Sequence, residues 1–198
     1  FGLAGHRVCV VDTDLRRPTM HRLFGLENRE GLTNLLLARE PALDRAIQPT
    51  ACTNVSIVTS GPLPPNPSEL LGSARVQDLL ERLRARFDVV LLDSPPALAV
   101  TDASVLATRA DALLIVTRAR HTRTPQLRAT VEALAPSGRP IAGVIVNRVA
   151  SRDAYYYESR GDAAEAPDRV AAAAVRHDAG SEDVRDVDRK STRLKLQS

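Results

Sequence analysis

The sequence lacks any apolar run near the roughly 18–20 residues that a helix needs to span a bilayer. Its first residues also lack the basic and then apolar order of a signal peptide. We therefore expect this stretch of chain to lie in the cytoplasm.

Aromatic residues and net charge are also scarce. Phenylalanine, tyrosine and tryptophan make up 3% of the 198 residues, and the formal net charge is only +3. Nucleic-acid binding usually relies on side chains that stack on bases and on a concentrated basic patch, so we expect no nucleic acid partner. Cys9 and Cys52 have no second cysteine or histidine at metal-ligand spacing, so we interpret both as reduced thiols.

Apolar segments are frequent, and a hydrophobic fraction of 43% is enough for an α/β core. Continuous runs rich in β-branched residues predict strands buried in a parallel sheet. The strands are predicted at 7–12, 54–60, 88–93, 112–117 and 140–147, and helices at 31–40, 67–87, 102–110 and 125–135. Because strands alternate with helices, we predict a doubly wound, mainly parallel α/β sheet.

The last residues of these strands are candidates for chemistry, since ligands bind beyond the carboxyl ends of the strands in open parallel sheets. Asp12 ends the first strand and is followed by Asp14, and Asp93 ends another. "VVLLDSPP" has the form of a Walker B strand, whose carboxylate holds magnesium beside nucleotide phosphates. The alternative for Asp93 is a strand-terminal aspartate that caps a turn.

Several segments resemble one family in the same order. "VVDTDLRRP" (10–18) resembles the Walker A′ motif of the bacterial tyrosine kinases, autokinases that regulate capsule and exopolysaccharide synthesis. "VVLLDSPPALAVTDA" (89–103) resembles their Walker B strand and following segment, and "HRLFGLENREGLTNLL" and "SGPLPPNPSELLGSARV" are similar to their connecting segments. The resemblance extends to the tyrosines at 155–157 and implies a P-loop ATPase fold of the deviant Walker A, MinD-like type.

The resemblance implies ATP and Mg²⁺ as cofactors and gives roles to the aspartates. Asp12 would help Asp93 to organise magnesium and would take the proton of the attacking tyrosine hydroxyl, while Asp14 would support the site. Asp12 and Asp14 share one side of an extended chain, because side chains alternate. A purely structural contact of Asp14 with the following loop is an equal alternative.

The roles of three further polar residues are open. Asn147, at the end of the last predicted strand, matches the position where related P-loop ATPases recognise adenine, and a turn residue is the alternative. Arg16 and Arg17 could contact phosphate, contact another subunit or be solvated.

Tyr155, Tyr156 and Tyr157 are all the tyrosines of the chain and follow the last predicted strand. A consecutive trio in a polar segment has no packing rationale and fits a phosphoacceptor cluster. In the family such tyrosines enter a neighbouring subunit's active site, which implies a homo-oligomer that autophosphorylates in trans. The resemblance also implies a transmembrane polysaccharide co-polymerase or activator region, fused or separate, and hence a place at the inner face of the plasma membrane.

A phosphate-binding loop of the form G-x-x-x-x-G-K-[ST] is absent from the sequence. In the family it precedes the Walker A′ strand, and "FGLAGHR" (1–7) has the form of the end of the intervening helix, with Gly5 as its C-cap. We therefore expect residues 1–150 to be a kinase domain that is incomplete at its N-terminus. We expect this chain to be inactive and not to bind ATP tightly; tight Mg-ATP binding by the purified chain would contradict this.

Residues 151–187 are polar, alanine-rich and mixed in charge, so we predict a flexible tail that starts with the tyrosine cluster. "DRKSTRLKLQS" (188–198) back-translates to a sequence resembling a common sequencing adaptor, and we interpret it as read-through.

Two other functions are open. A partitioning or septum-placement ATPase has a similar Walker A′ region, but the tyrosine trio and "GPLPPNPSELL" favour the kinase. A non-catalytic interaction subunit is the other alternative, and the aspartates at 12, 14 and 93 argue against it.

Overall fold

A computed structural model describes residues 1–149 and the backbone of residues 193–197. The strands in these ranges are β1 (Val8–Asp12), β2 (Ile47–Pro49), β3 (Val55–Val58), β4 (Val89–Asp93), β5 (Ala112–Arg118), β6 (Ile141–Asn147) and β7 (Arg193–Gln197). The α-helices are α1 (Met20–Phe24), α2 (Leu32–Leu37), α3 (Leu43–Ala46), α4 (Pro67–Gly72), α5 (Ala74–Arg84), α6 (Asp102–Ala107) and α7 (Thr124–Leu134).

The strands form one sheet in the order β2-β3-β1-β4-β7-β5-β6. β1 is parallel to β3 and to β4, and β5 is parallel to β6. β2 runs antiparallel at one edge, where Pro49 is tolerated because an edge position does not need every backbone N–H. The mainly parallel α/β sheet predicted from the sequence is confirmed.

β7 lies inside the sheet, between β4 and β5, and runs antiparallel to both. Lys195 is paired in register with Asp93, and Leu196 is paired with Leu92 on one side and Leu113 on the other. The sheet is therefore continuous from β1 to β5, although the sequence patterns above predict no strand at these positions.

The apolar core lies on one face of the sheet. Apolar side chains of α2 to α7 form a single buried cluster with seven side chains from four of the strands. These strand residues are Cys9, Val11, Val58, Val90, Leu92, Leu113 and Ile115. Because successive side chains of a strand point to opposite faces, Asp12 and Asp93 lie on the face opposite to this cluster.

The helix predicted at 67–87 and the helix C-cap predicted at Gly5 have different outcomes. The helix predicted at 67–87 is divided into α4 and α5 at Ser73, whose ψ of 154° is extended and whose hydroxyl donates to the carbonyl of Leu70 at 2.7 Å. Gly5 ends a short 3-10 helix (Gly2–Ala4) with a φ of 91°, and its N–H donates to the carbonyl of Gly2. The predicted C-cap at Gly5 is therefore confirmed, whereas the single long helix is wrong.

Candidate functional site

The ends of β1 and β4 meet at the carboxyl edge of the sheet. Asp12 and Asp93 are direct partners in the parallel register of β1 and β4, and both are buried. The backbone N–H and the hydroxyl of Thr13 both donate to the carbonyl of Asp93, at 2.9 and 2.8 Å. These bonds fix the ends of the two strands relative to each other.

The carboxylate of Asp12 organises the loop that follows β1. One oxygen accepts the N–H of Asp14 at 3.3 Å, and the other accepts the N–H groups of Thr19 and Met20 at 3.2 and 3.0 Å. Met20 is the first residue of α1, so one carboxylate joins both ends of the loop. Burial raises the pKa of Asp12 to about 6; the Met20 N–H opposes this shift, and the negative charge of Asp93 adds to it.

Asp14 contacts the same loop. One of its carboxylate oxygens accepts the N–H groups of Arg16 and Arg17, at 3.2 and 2.9 Å. The alternative that the sequence analysis gives for Asp14, a contact with the following loop, is thus present in the structure. Asp14 is partly exposed.

The two arginines of the loop differ in their environment. The guanidinium of Arg16 forms an ion pair with Asp102 and a hydrogen bond with Ser68, whereas the side chain of Arg17 is exposed. Burial alone would raise the pKa of Asp102, but the hydrogen bonds from Arg16 and Ser68 outweigh it and hold this pKa below its ordinary value. No sequence pattern singles out Ser68 or Asp102, apart from the position of each near the start of a helix.

Asn147 ends β6, at the same edge but far from the aspartates. Three strand spacings separate it from Asp93 in the sheet order, or roughly 14 Å at about 4.8 Å per spacing. Its side-chain oxygen accepts the N–H of Arg148 at 2.7 Å, and its carbonyl accepts the N–H of Ala119 at 2.9 Å. The structure therefore places Asn147 beside the loop after β5 and not beside the acidic pair. Tyr155, Tyr156 and Tyr157 lie outside the described residues.

The acidic pair suits a hard cation, because carboxylate oxygens are the ligands that Mg²⁺ prefers. Within residues 1–149, however, no three histidine, cysteine, aspartate or glutamate side chains come together as a metal-binding group. Two carboxylates are enough for Mg²⁺ when waters and substrate phosphates complete the shell, which is its usual arrangement in phosphoryl-transfer sites. The residues present therefore fit Mg²⁺ together with a nucleotide.

None of the helices in the described part of the chain combines the length and apolar character required to cross a membrane.

A family model described as an AAA domain matches residues 2–135. The mainly parallel sheet and this match place the chain in the fold class of the P-loop ATPases.

Two relatives and one solved structure narrow this class. The chain is 40% identical over 147 residues to the tyrosine-protein kinase YwqD of Bacillus subtilis, covering 74% of this chain and 62% of that protein. It is 31% identical over 159 residues to the putative tyrosine-protein kinase CapB of Staphylococcus aureus, covering 79% of this chain and 69% of that one. The VpsO kinase domain superposes with a TM-score of 0.69 at 37% identity, covering 75% of this chain and 73% of that chain.

The chain belongs to the family of bacterial tyrosine kinases. The family predicted from the sequence is thus confirmed. The chain spans less than two thirds of YwqD, so the activity of the whole protein is treated below as a proposal.

Proposed function

We propose that the whole protein is an ATP- and Mg²⁺-dependent protein-tyrosine autokinase that regulates capsule or exopolysaccharide synthesis and export. The observation that carries this proposal is the pairing of two buried carboxylates, Asp12 and Asp93, at the carboxyl edge of the sheet. Membership in a family of tyrosine kinases supports it.

Asp93 would hold Mg²⁺ through water, and Asp12 would help to organise it. Bound Mg²⁺ would neutralise charge on the β- and γ-phosphates of ATP. The tyrosine hydroxyl would transfer its proton to a carboxylate oxygen of Asp12 as its own oxygen bonds to the γ-phosphorus and the bond from that phosphorus to ADP breaks. A carboxylate beside a cation and phosphates is a weak base, so orientation of the hydroxyl contributes more than proton abstraction.

Asn147 would contact the adenine, because its amide both donates and accepts hydrogen bonds, as the adenine edge requires. Its separation from Asp93 by three strand spacings suits a nucleotide that extends along the carboxyl edge. Asp14 would support the site by ordering the loop after Asp12, as its bonds to Arg16 and Arg17 indicate.

The tyrosines at 155–157 would be the phosphoacceptors, presented in trans within a homo-oligomer. Each phosphate adds about 1.5–2 negative charges and would oppose assembly of the homo-oligomer. In this proposal residues 1–150 are part of the kinase domain and residues 151–187 are the acceptor tail. Residues 188–198, which include β7, take no part in the phosphorylation. A fused or separate transmembrane co-polymerase region would place the kinase at the inner face of the plasma membrane.

The proposal is tested by adding an upstream P-loop segment to the chain and incubating the protein with Mg-ATP. Phosphotyrosine is then mapped by mass spectrometry. We expect phosphate on Tyr155, Tyr156 or Tyr157. We expect a loss of roughly 10²-fold or more in the Asp12→Asn variant, since that variant removes the carboxylate that helps to organise Mg²⁺, orients the hydroxyl and accepts its proton. Asp88→Asn makes the same chemical change at an exposed carboxylate away from the carboxyl edge and should leave phosphorylation unchanged.

Two results would contradict the proposal. ATP hydrolysis without phosphotyrosine would indicate a partition-type ATPase. A folded protein with neither activity would indicate a non-catalytic interaction subunit.

A further inference from the structure

Arg16 and Asp102 form a two-bond ion pair at the carboxyl edge. The Nε of Arg16 donates to Oδ2 of Asp102 at 2.8 Å, and Nη2 donates to Oδ1 at 3.2 Å. The side chain of Asp102 is fully buried, whereas that of Arg16 is 40% exposed. A buried carboxylate is tolerated when it is paired and hydrogen-bonded, so the environment of Asp102 requires the arginine.

Ser68 completes the cluster. Its hydroxyl donates to Oδ1 of Asp102 at 2.5 Å and accepts Nη2 of Arg16 at 3.0 Å. Ser68 lies in the first turn of α4, and Asp102 is the first residue of α6. These two helices also pack against each other. The cluster therefore joins three segments: the loop after β1, the start of α4 and the start of α6.

The cluster of Arg16, Ser68 and Asp102 is a second connection between the segment after Asp12 and the segment after Asp93. The first connection is made by Thr13 and the carbonyl of Asp93. Arg16 lies four residues after Asp12, and its backbone is held by Asp14; Asp102 lies at the end of the segment that starts after Asp93. The loop after β1 and the segment from Asp93 to Asp102 are therefore joined at both of their ends.

We propose that Arg16 is a positioning residue, which acts through Asp102 and Ser68 to hold the loops after β1 and β4 in the arrangement that keeps Asp12 and Asp93 opposed. This inference rests on the proposed kinase function. Nε and Nη2 of Arg16 are engaged by Asp102, so in this arrangement they are not free to contact phosphate. Arg17, with its exposed side chain, lies beside it and offers a matched control.

The first test measures kinetics in the protein with an added upstream P-loop segment. Arg16→Gln and Asp102→Asn are each expected to lower kcat for tyrosine phosphorylation by roughly 10- to 100-fold, since small misplacements of reacting groups have effects of this size. The KM for ATP should change by less than about twofold, and Arg17→Gln should match the parent. The Arg16→Gln/Asp102→Asn double variant should lose no more than the worse single variant, because the two side chains act as one unit.

Two kinetic results would overturn the assignment. A raised KM for ATP with kcat unchanged in Arg16→Gln would show that Arg16 binds the nucleotide. Equal losses in Arg16→Gln and Arg17→Gln would show a general charge effect. If Arg16→Gln fails to fold, Arg16→Lys is the second variant; lysine keeps the charge but not the two-bond geometry, and we expect an intermediate kcat.

The second test uses the 198-residue chain as it is and needs no activity. Amide hydrogen exchange should become faster at 94–101 in Arg16→Gln and at 13–17 in Asp102→Asn, with α7 unchanged in both. Unchanged exchange in both segments would overturn the proposal. This readout is independent of phosphorylation. Faster exchange across the cluster, together with no phosphotyrosine in the protein that carries the added P-loop segment, would therefore retain the coupling and reject the kinase function alone.

Discussion

The Asp12→Asn variant is expected to be more stable than the parent chain at pH 8 and to lose this advantage at pH 4. In the folded chain burial raises the pKa of Asp12 to about 6 from the ordinary 3.8. Between these two values the folded state keeps a proton that the unfolded state has released, so stability falls as the pH rises. Above pH 6 the folded chain carries the full cost of a buried negative charge.

The size of this effect follows from the pKa difference. About two pKa units correspond to about 3 kcal/mol of unfolding free energy at pH 8, and to less than about 1 kcal/mol at pH 4. The amide oxygen of asparagine can still accept the N–H groups of Thr19 and Met20. Loss of the bond from the Asp14 N–H costs about 1 kcal/mol. The expected net gain is therefore about 2 kcal/mol at pH 8 and close to zero at pH 4.

Urea denaturation of both proteins across this pH range measures the prediction. Asp88→Asn is the control with the opposite sign, because hydrogen bonds from Arg7 lower the pKa of Asp88 to about 2. The stability that Asp88 contributes is present above its ordinary pKa and is lost as the pH falls, so its removal should destabilise at pH 8. A difference between Asp12→Asn and the parent that does not vary with pH would contradict the buried-charge explanation.

The Gly31→Ala variant is expected to be among the most destabilised single substitutions in the chain. Gly31 precedes α2, and a Cβ atom there would lie 2.3 Å from the carbonyl oxygen of Thr59 and 2.4 Å from the nitrogen of Gly61. Both are backbone atoms, so no side-chain rotation relieves the overlap. The φ of −169° is extended backbone, and the requirement for glycine is therefore purely steric.

Relief of the overlap requires α2 to move away from the end of β3. This movement would break the bonds from the Leu32 N–H to Thr59 and from the Thr33 N–H to Ser60, which are 2.8 and 2.9 Å long. It would also displace the core side chains of α2. We expect a loss of about 3 kcal/mol or more, and hence a Tm lower by roughly 6–12 °C.

Thermal unfolding with Gly72→Ala as the control checks this result. Gly72 is the last residue of α4, and the nearest atom to an added Cβ lies 3.9 Å away. Alanine there should be neutral or stabilising by up to about 1 kcal/mol. A Tm for Gly31→Ala within about 2 °C of the parent would show that the loop after β3 can yield, contrary to the prediction.

Five of the described strands and the acidic pair could be predicted from the sequence because their signals are local. Val8–Asp12 and Val89–Asp93 are unbroken apolar runs that each end in an aspartate, and the structure brings these ends together as expected. The ion pair of Arg16 could not be predicted in this way, because its partner is 86 residues away in the sequence. The pairing of β1 with β4 brings the loop after β1 and the segment that leads to α6 to the same edge of the sheet.

Two further features could not be predicted, one for a local reason and one for a long-range reason. The break between α4 and α5 depends on the extended ψ of Ser73, and no proline marks it in the sequence. The position of Asn147 depends on strand order: its place at the end of a strand was predictable, but the three spacings between it and Asp93 were not.

The sheet places the main hydrophobic cluster and the acidic pair on opposite faces. The helical cluster and the side chains of Cys9, Val11, Val90 and Leu92 occupy one face, while Asp12 and Asp93 belong to the other. The two sets of side chains have a common backbone but little common environment. The hydrophobic layer can therefore be repacked, for example to obtain a more heat-resistant protein, without direct contact with the acidic pair, as long as the packing of α4 against α6 is kept. Conversely, a search for altered activity can be restricted to the opposite face and the loops at the carboxyl edge.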